Sequence, residues 1–312
     1  MKKHLSPLLL LSSAIIWGLA FVAQKAATAM PTFALLFARS LIAVFALVFV
    51  VIILDKISGS ERKLFSFKKK KIDITKRERI AGAVCGALLF VASALQQAGI
   101  EDTDAGKTSF ITALYVVIVP VYALFFGKKS SLNAWLGIGM AIVGFYLLCI
   151  KEGFTIAPSD FLVILCAFAF AMQIMAVDLL IDGCNGVRLS LVQFATVTVL
   201  SFIASLIFEP AIDFSVVKTV LPEIIYLGVA SSGIAYTLQI IGQKNTHPAL
   251  ASIILSLESV FGALFSVIVL SERMSPREYC GCAVVLAAVI ISQLDFGKAF
   301  KKSSSESNSV TE

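Results

Sequence analysis

Apolar residues along this chain fall into ten long runs separated by short polar gaps, each run about as long as a helix needs to cross a membrane. The first five cover residues 5–27, 33–54, 80–100, 105–126 and 132–150; the second five cover 161–181, 189–208, 220–242, 248–270 and 276–294. Some ends carry local signals. Ser275-Pro276-Arg277-Glu278 predicts a capping box with proline at the first helical position. The opening run follows Lys2-Lys3 and ends near Ala27-Thr28-Ala29, imitating a cleaved secretory signal. It is too long for an h-region, is interrupted by Trp17, Gly18 and Gln24, and has a counterpart in AFAFAMQ at 167–173. It is therefore read as a retained first helix.

The runs repeat. Residues 238–257 moved back by 143 positions align without gaps on 95–114, matching Gln96 with Gln239, Gly99 with Gly242 and Thr103 with Thr246. Shared apolar composition explains the leucine matches nearby but not these three in register. The chain reads as a duplication, with one five-helix repeat at 1–150, a second at 151–297, and a polar tail at 298–312 expected to be disordered. If the amino terminus is cytoplasmic, 19 Lys and Arg fall on the cytoplasmic side and five opposite, which puts both termini inside. Five helices is an odd number, so the halves must enter the membrane from opposite sides. The expected fold is an all-α integral membrane protein of ten transmembrane helices in two inverted-topology five-helix repeats.

Composition narrows the class further. Of 312 residues, 58% are hydrophobic and 15% charged, with a mean hydropathy of +0.93, against about 25% charged in soluble domains. The net charge of +6 does not indicate nucleic acid, because the basic residues occupy the gaps between runs. Within 55–79, KLFSFKKKKIDITKRER reads as a solvated topology determinant, with an anionic-lipid patch as the alternative. Six scattered cysteines form no CxxC pair or Cys/His cluster, so buried free thiols are expected and neither metal, disulfide nor cofactor is.

AIIWGLAFVAQK in run one, AGKTSFITALYVVIVP in run four and SLESVFGALFSVIVLSERMS across run nine resemble the EamA branch of the drug/metabolite transporters. The likeness covers residues 5–294 as two EamA units. It implies ten helices, inverted repeats, a central cavity and movement of small metabolites across the cytoplasmic membrane. One departure stands out: run four ends in Gly127-Lys128-Lys129 where run nine has Ser271-Glu272.

Polar residues within the runs are the candidate chemistry. Glu258 lies ten residues into run nine, about 15 Å along a helix and roughly halfway across the hydrocarbon. A carboxylate there must be protonated, paired or open to water, and marks a functional site by default. Two roles fit it: a structural carboxylate bonded between helices, or a group that binds substrate and couples protons. Tyr115 stands at the matching place in run four, and Trp17 lies at similar depth; both suit core packing or a cavity wall for an apolar or cationic ligand. Arg39, roughly six residues into run two, fits either an interhelical partner, snorkelling, or a substrate carboxylate. Gln96 and Gln239, repeat-related amides, must be hydrogen-bonded or face a cavity. The expected substrate-binding set is thus Glu258, Tyr115, Trp17, Arg39, Gln96 and Gln239. Pro120 removes a donor to Val116 and predicts a kink or hinge that its counterpart Ala263 does not share.

These readings point to a secondary transporter, multi-pass in a bacterial cytoplasmic membrane, exporting amino acids or related compounds by alternating access with proton coupling at Glu258. Its partners would be a small-molecule substrate and membrane lipid; nothing in the chain specifies an oligomeric state. No GxxxxGK[ST] motif is present, so energy would come from a gradient. Efflux of apolar cations is the alternative within transport, and a non-transporting scaffold or receptor the alternative outside it. An intramembrane enzyme is not expected, because the two histidines, His4 and His247, lie at helix ends and no catalytic cluster forms.

Overall fold

The computed structural model describes residues 2–57, 74–149, 157–210, 214–270 and 275–293. Most of the basic loop, Glu272 and the polar tail lie outside these residues. In hydrocarbon a chain can satisfy its backbone only internally, and the apolar runs accordingly form helices. The first half contains α1 (Lys2–Ala26), α2 (Thr32–Ile57), α3 (Lys76–Asp102), α4 (Ala105–Ala113), α5 (Tyr115–Phe125) and α6 (Leu132–Cys149). The second contains α7 (Pro158–Leu180), α8 (Gly186–Phe208), α9 (Phe214–Thr219), α10 (Leu221–Tyr226), a π-helical segment (Leu227–Ala235), α11 (Tyr236–Gln243), α12 (Pro248–Leu255), α13 (Glu258–Leu270) and α14 (Pro276–Gln293).

Among the described residues, eight helical stretches are long and apolar enough to cross a membrane, and Leu132–Leu147 is a shorter apolar helix. The remaining expected segment is α14, whose first turn, Pro276-Arg277-Glu278, is polar. The outer faces are apolar, with Phe45, Phe125, Leu206 and Phe208 each more than half exposed. The amides point the other way: Gln24, Gln96, Gln97, Gln173, Gln193 and Gln239 are all buried.

Helix ends are set locally. Thr75 and Glu78 close a capping box at α3, and the second Glu78 oxygen accepts the Asn185 N–H at 3.0 Å, joining the start of α3 to that of α8. The box expected at α14 forms between Ser275 and Glu278. Glu209 reaches across the chain to accept the N–H groups of Phe33 and Ala34 at 2.6 and 2.8 Å, an anion on the positive end of α2. Lys25 donates to the carbonyls of Ile100 and Glu101 rather than to solvent, satisfying the end of α3.

The fourth helix of each half is interrupted. Between α4 and α5 the chain tightens at Leu114, with Leu114 N–H to Ile111 O and Val117 N–H to Leu114 O. Between α12 and α13 it tightens at 256–257 in the same way, with Leu257 N–H to Ile254 O and Ser259 N–H to Ser256 O. Leu114 and Leu257 are repeat-matched. Pro120 lies inside continuous α5, and Ala263 stands at its place in α13, so the interruption is not the proline's doing.

Packing follows the duplication. Repeat-equivalent helices lie on each other, α2 on α8 and α6 on α14, while α1 packs on α10–α11 as α7 packs on α3. Two ion pairs occur among the described residues, and both tie the α4–α5 stretch to α7. Lys107 binds Asp160 at 2.6 Å at one end, and Lys128 binds Asp178 at the other. Asp178, near the end of α7, is held in the second pair. Cys85, Cys166, Cys184 and Cys282 are free and buried as expected, but Cys280 is exposed on the outer face.

Close approach of α1 to α13 depends on Gly18. A Cβ there would lie 2.5 Å from Phe261 Cβ and 2.8 Å from Gly262 N, whereas one at Gly139 meets nothing within 4 Å. Gly18→Ala is therefore expected to destabilise the purified protein by roughly 1–3 kcal/mol through overpacking. Gly139→Ala should be neutral or slightly stabilising through helix propensity. Thermal unfolding in detergent reads both, and equal midpoints for the two variants would contradict the close packing.

Candidate functional site

The interruptions bring their flanking residues to the centre of the bundle. Tyr115, first residue of α5, donates its hydroxyl to Glu258 Oε1 at 3.0 Å, and Glu258 is the first residue of α13. These two are 143 positions apart, the repeat offset. A second pair at the same offset, Tyr236 and Ser93, interacts electrostatically nearby. The centre is where each half meets its own equivalent positions.

A cavity lies at this junction. Its wall includes Trp17, Gln24, Arg39, Gln96, Tyr115, Gln173, Tyr236, Gln239 and Glu258, so all six residues expected to bind substrate line one space. They come from α1, α2, α3, the α4–α5 break, α11 and the α12–α13 break. The free volume is about 30 Å³, room for roughly two or three water molecules. A metabolite would need the surrounding helices to part, since ligand pockets usually run to about 300 Å³ or more.

The aromatic wall is tied to the π-helical segment. Trp17 Nε1 donates to Ser231 O at 3.3 Å, its ring packs on Tyr236 at 4.6 Å, and Tyr236 meets Phe194 at 5.5 Å. The π geometry turns carbonyls out of the helical ladder. Ser231 O takes the indole, and Ala235 O takes the Ser13 hydroxyl at 2.9 Å. On the polar side, Gln96 donates to Thr112 at 3.2 Å and Gln239 to Gln173 at 3.2 Å. The repeat-related amides thus hold different partners.

Two ionisable side chains face this cavity. Arg39 is 6% exposed and donates to Gln24 Oε1 at 3.3 Å; Glu258 is 5% exposed and accepts from Tyr115. Neither belongs to the two ion pairs among the described residues. A buried guanidinium and a buried carboxyl group share one wall without an ion pair between them, each held instead by a neutral partner. No group of three or more His, Cys, Asp or Glu comes together among the described residues.

Sequence reasoning did not single out Tyr236, Ser231, Thr112 or Phe170. Tyr236 was detectable as the residue three before Gln239 on the same helical face. Ser231 was not, because it contributes a carbonyl that only the π segment presents.

Fold and cavity together define a helical membrane protein of duplicated architecture with a small chamber of mixed polar and aromatic lining at the junction of its halves, the build of a transporter. The comparisons agree with that class. The EamA-like transporter family matches residues 4–150 and again 157–293, and the chain belongs to this family. A chain from Archaeoglobus fulgidus called an uncharacterized transporter is 33% identical over 218 residues, covering 68% of each protein. A solved crystal structure sharing 18% identity superposes with a TM-score of 0.71 over 92% of this chain and 96% of its own, which shows a common fold.

Proposed function

We propose that this membrane transporter is a secondary transporter moving a small metabolite across the cytoplasmic membrane by alternating access. The observation that carries the reading is that the Arg39 guanidinium and the Glu258 carboxyl group, both buried, line one cavity without an ion pair between them. An amino acid bears a carboxylate and an ammonium on adjacent atoms. Arg39 suits the carboxylate through its planar fork, and Glu258 suits the ammonium. Export of amino acids or related compounds is thus the favoured reading, with Glu258 also carrying a proton. The tyrosine hydroxyl on Glu258 gives the carboxylate a partner when substrate is gone. Pro120 in α5 serves as a hinge beyond the break at Leu114.

A second reading, efflux of apolar cations, is favoured by the Trp17–Tyr236 wall facing a single carboxylate. It has no use for Arg39. Purified protein in sealed proteoliposomes distinguishes the two: flux of labelled amino acids supports the first, flux of quaternary ammonium dyes the second. No flux of either, at verified insertion, would leave a scaffold or receptor.

The reading includes ten crossings in two inverted repeats with both termini inside. It is supported by the 19-to-5 basic asymmetry and by the central contacts between residues 143 apart, which an axis in the membrane plane would generate. Reporter fusions after Lys151 and after Lys302 are expected to read outside and inside. The same side for both would rule out an odd-helix repeat.

A further inference from the structure

Three amides form a chain that begins at the cavity and leads away from it. Gln239 on α11 donates Nε2 to Gln173 Oε1 on α7 at 3.2 Å, and Gln173 donates Nε2 to Gln193 Oε1 on α8 at 3.4 Å. All three side chains are buried. Gln239 and Gln173 line the cavity, and Gln193 does not. Both ends of the chain are unmatched. Gln239 Oε1 is an enclosed acceptor with no donor, and Gln193 Nε2 an enclosed donor with no acceptor.

The cavity end is an exception on its own wall. Arg39 is held by Gln24, Glu258 by Tyr115, Trp17 by Ser231 O, and Gln96 by Thr112. Among the residues lining the cavity, Gln239 Oε1 is the enclosed side-chain atom that the protein leaves unmatched. Such an acceptor carries its full desolvation cost until something donates to it. The rest of the chain adds a second property. Turning all three amides over keeps both internal bonds, because each amide has an acceptor oxygen and a donor nitrogen. The free atoms then exchange: Gln239 offers Nε2 to the cavity, and Gln193 keeps Oε1 at the far end. The cavity end accepts in one setting and donates in the other, with the same number of internal bonds.

A ligand group that both donates and accepts fits either setting, and a carboxamide or a hydroxyl does so. An ammonium meets only the accepting setting, a carboxylate only the donating one, and an aliphatic chain neither. We propose that Gln239 reads the side chain of the substrate, selecting amino acids whose side chain ends in a neutral carboxamide or hydroxyl. This assignment rests on the amino-acid reading above, in which Arg39 and Glu258 take the carboxylate and ammonium, and it adds a third point of attachment. Gln173 and Gln193 are positioning residues that hold the Gln239 amide and accommodate its reversal.

Equilibrium binding to the purified full-length protein in detergent tests the assignment, with two pairs of amino acids of nearly equal shape: asparagine with leucine, and threonine with valine. The wild type is expected to hold the polar member of each pair about tenfold more tightly, the weight of one matched buried hydrogen bond. Gln239→Met keeps the length of the side chain and removes the amide, so the preference should disappear while leucine and valine bind at least as tightly as before. If that variant does not fold, the triple variant Gln173→Met, Gln193→Met and Gln239→Met removes the whole chain and leaves no amide of it unmatched; the same loss of preference is expected. Equal affinities within each pair in the wild type, or a preference that survives in the folded variant, would overturn the assignment and leave the amino-acid reading standing. Weakening of all four ligands by one factor in Gln239→Met would also overturn it, by putting the ammonium on Gln239. Binding of none of the four by the wild type would overturn the amino-acid reading itself, and the assignment with it.

Discussion

Glu258→Gln is expected to insert and fold normally yet to lose accumulation driven by a pH gradient by about tenfold or more, the effect of removing a contact of about 1.4 kcal/mol or larger. Glutamine keeps the shape of the protonated acid and can still accept the Tyr115 hydroxyl found 3.0 Å from Glu258 Oε1. Exchange of labelled for unlabelled substrate, which needs no net proton movement, should survive. Glu258→Ala should impair both, because the tyrosine hydroxyl and the substrate ammonium each lose their acceptor. A purely structural carboxylate gives the opposite order of damage, with stability falling first and surviving protein keeping its pH dependence. Proteoliposomes with an imposed pH gradient measure the difference, and full pH-driven activity in the glutamine variant would remove Glu258 from the coupling.

The second large effect is expected at Arg39. Arg39→Lys keeps the charge but replaces a planar fork by a point donor, and substrate affinity should fall about tenfold. Arg39→Gln removes the charge and should weaken binding about a hundredfold, within the range for deleting one partner of a buried charged contact. Both variants keep a donor for Gln24 Oε1, so the α1–α2 contact is preserved and expression should be normal. Equilibrium binding of a carboxylate-bearing amino acid, compared with its methyl ester, separates the roles: wild type should prefer the acid and Arg39→Gln should not. Equal preference in all three proteins would reduce Arg39 to a helix-packing residue.

Much of this was legible in the chain because hydrocarbon simplifies the code. A run of apolar residues can only be a helix there, and a polar side chain within it must turn inward. Glu258, Arg39, Tyr115, Trp17, Gln96 and Gln239 could thus be chosen one at a time from depth, and they line a single cavity. The register of Gln, Gly and Thr across 143 positions exposed the duplication for a similar reason, since these types are rare enough in apolar runs to be informative. The helix breaks were not readable. ALYV and SLES contain no glycine or proline, and the tightening at Leu114 and at 256–257 depends on neighbours far along the chain. Proline drew attention to position 120 instead, six residues from the break. The π segment was equally hidden, because Gly228, Ser231, Ser232 and Gly233 lower helix propensity without specifying a wider turn. Glu209 illustrates the last limit: its partners, Phe33 and Ala34, lie about 175 positions away, and no local pattern names such a cap.

The two ion pairs bear on leakage. Lys107–Asp160 and Lys128–Asp178 fasten the same pair of helical stretches at opposite ends. A chamber that opens along this seam towards one compartment parts one bond while the other stays closed and acts as the pivot. An open pore through the protein would require both to be parted at once, separating two lysines from their carboxylates at both ends of the seam. Under the transport reading, that state is the least populated of all, and the membrane gradient is protected by where the lysines sit as much as by the chamber between them.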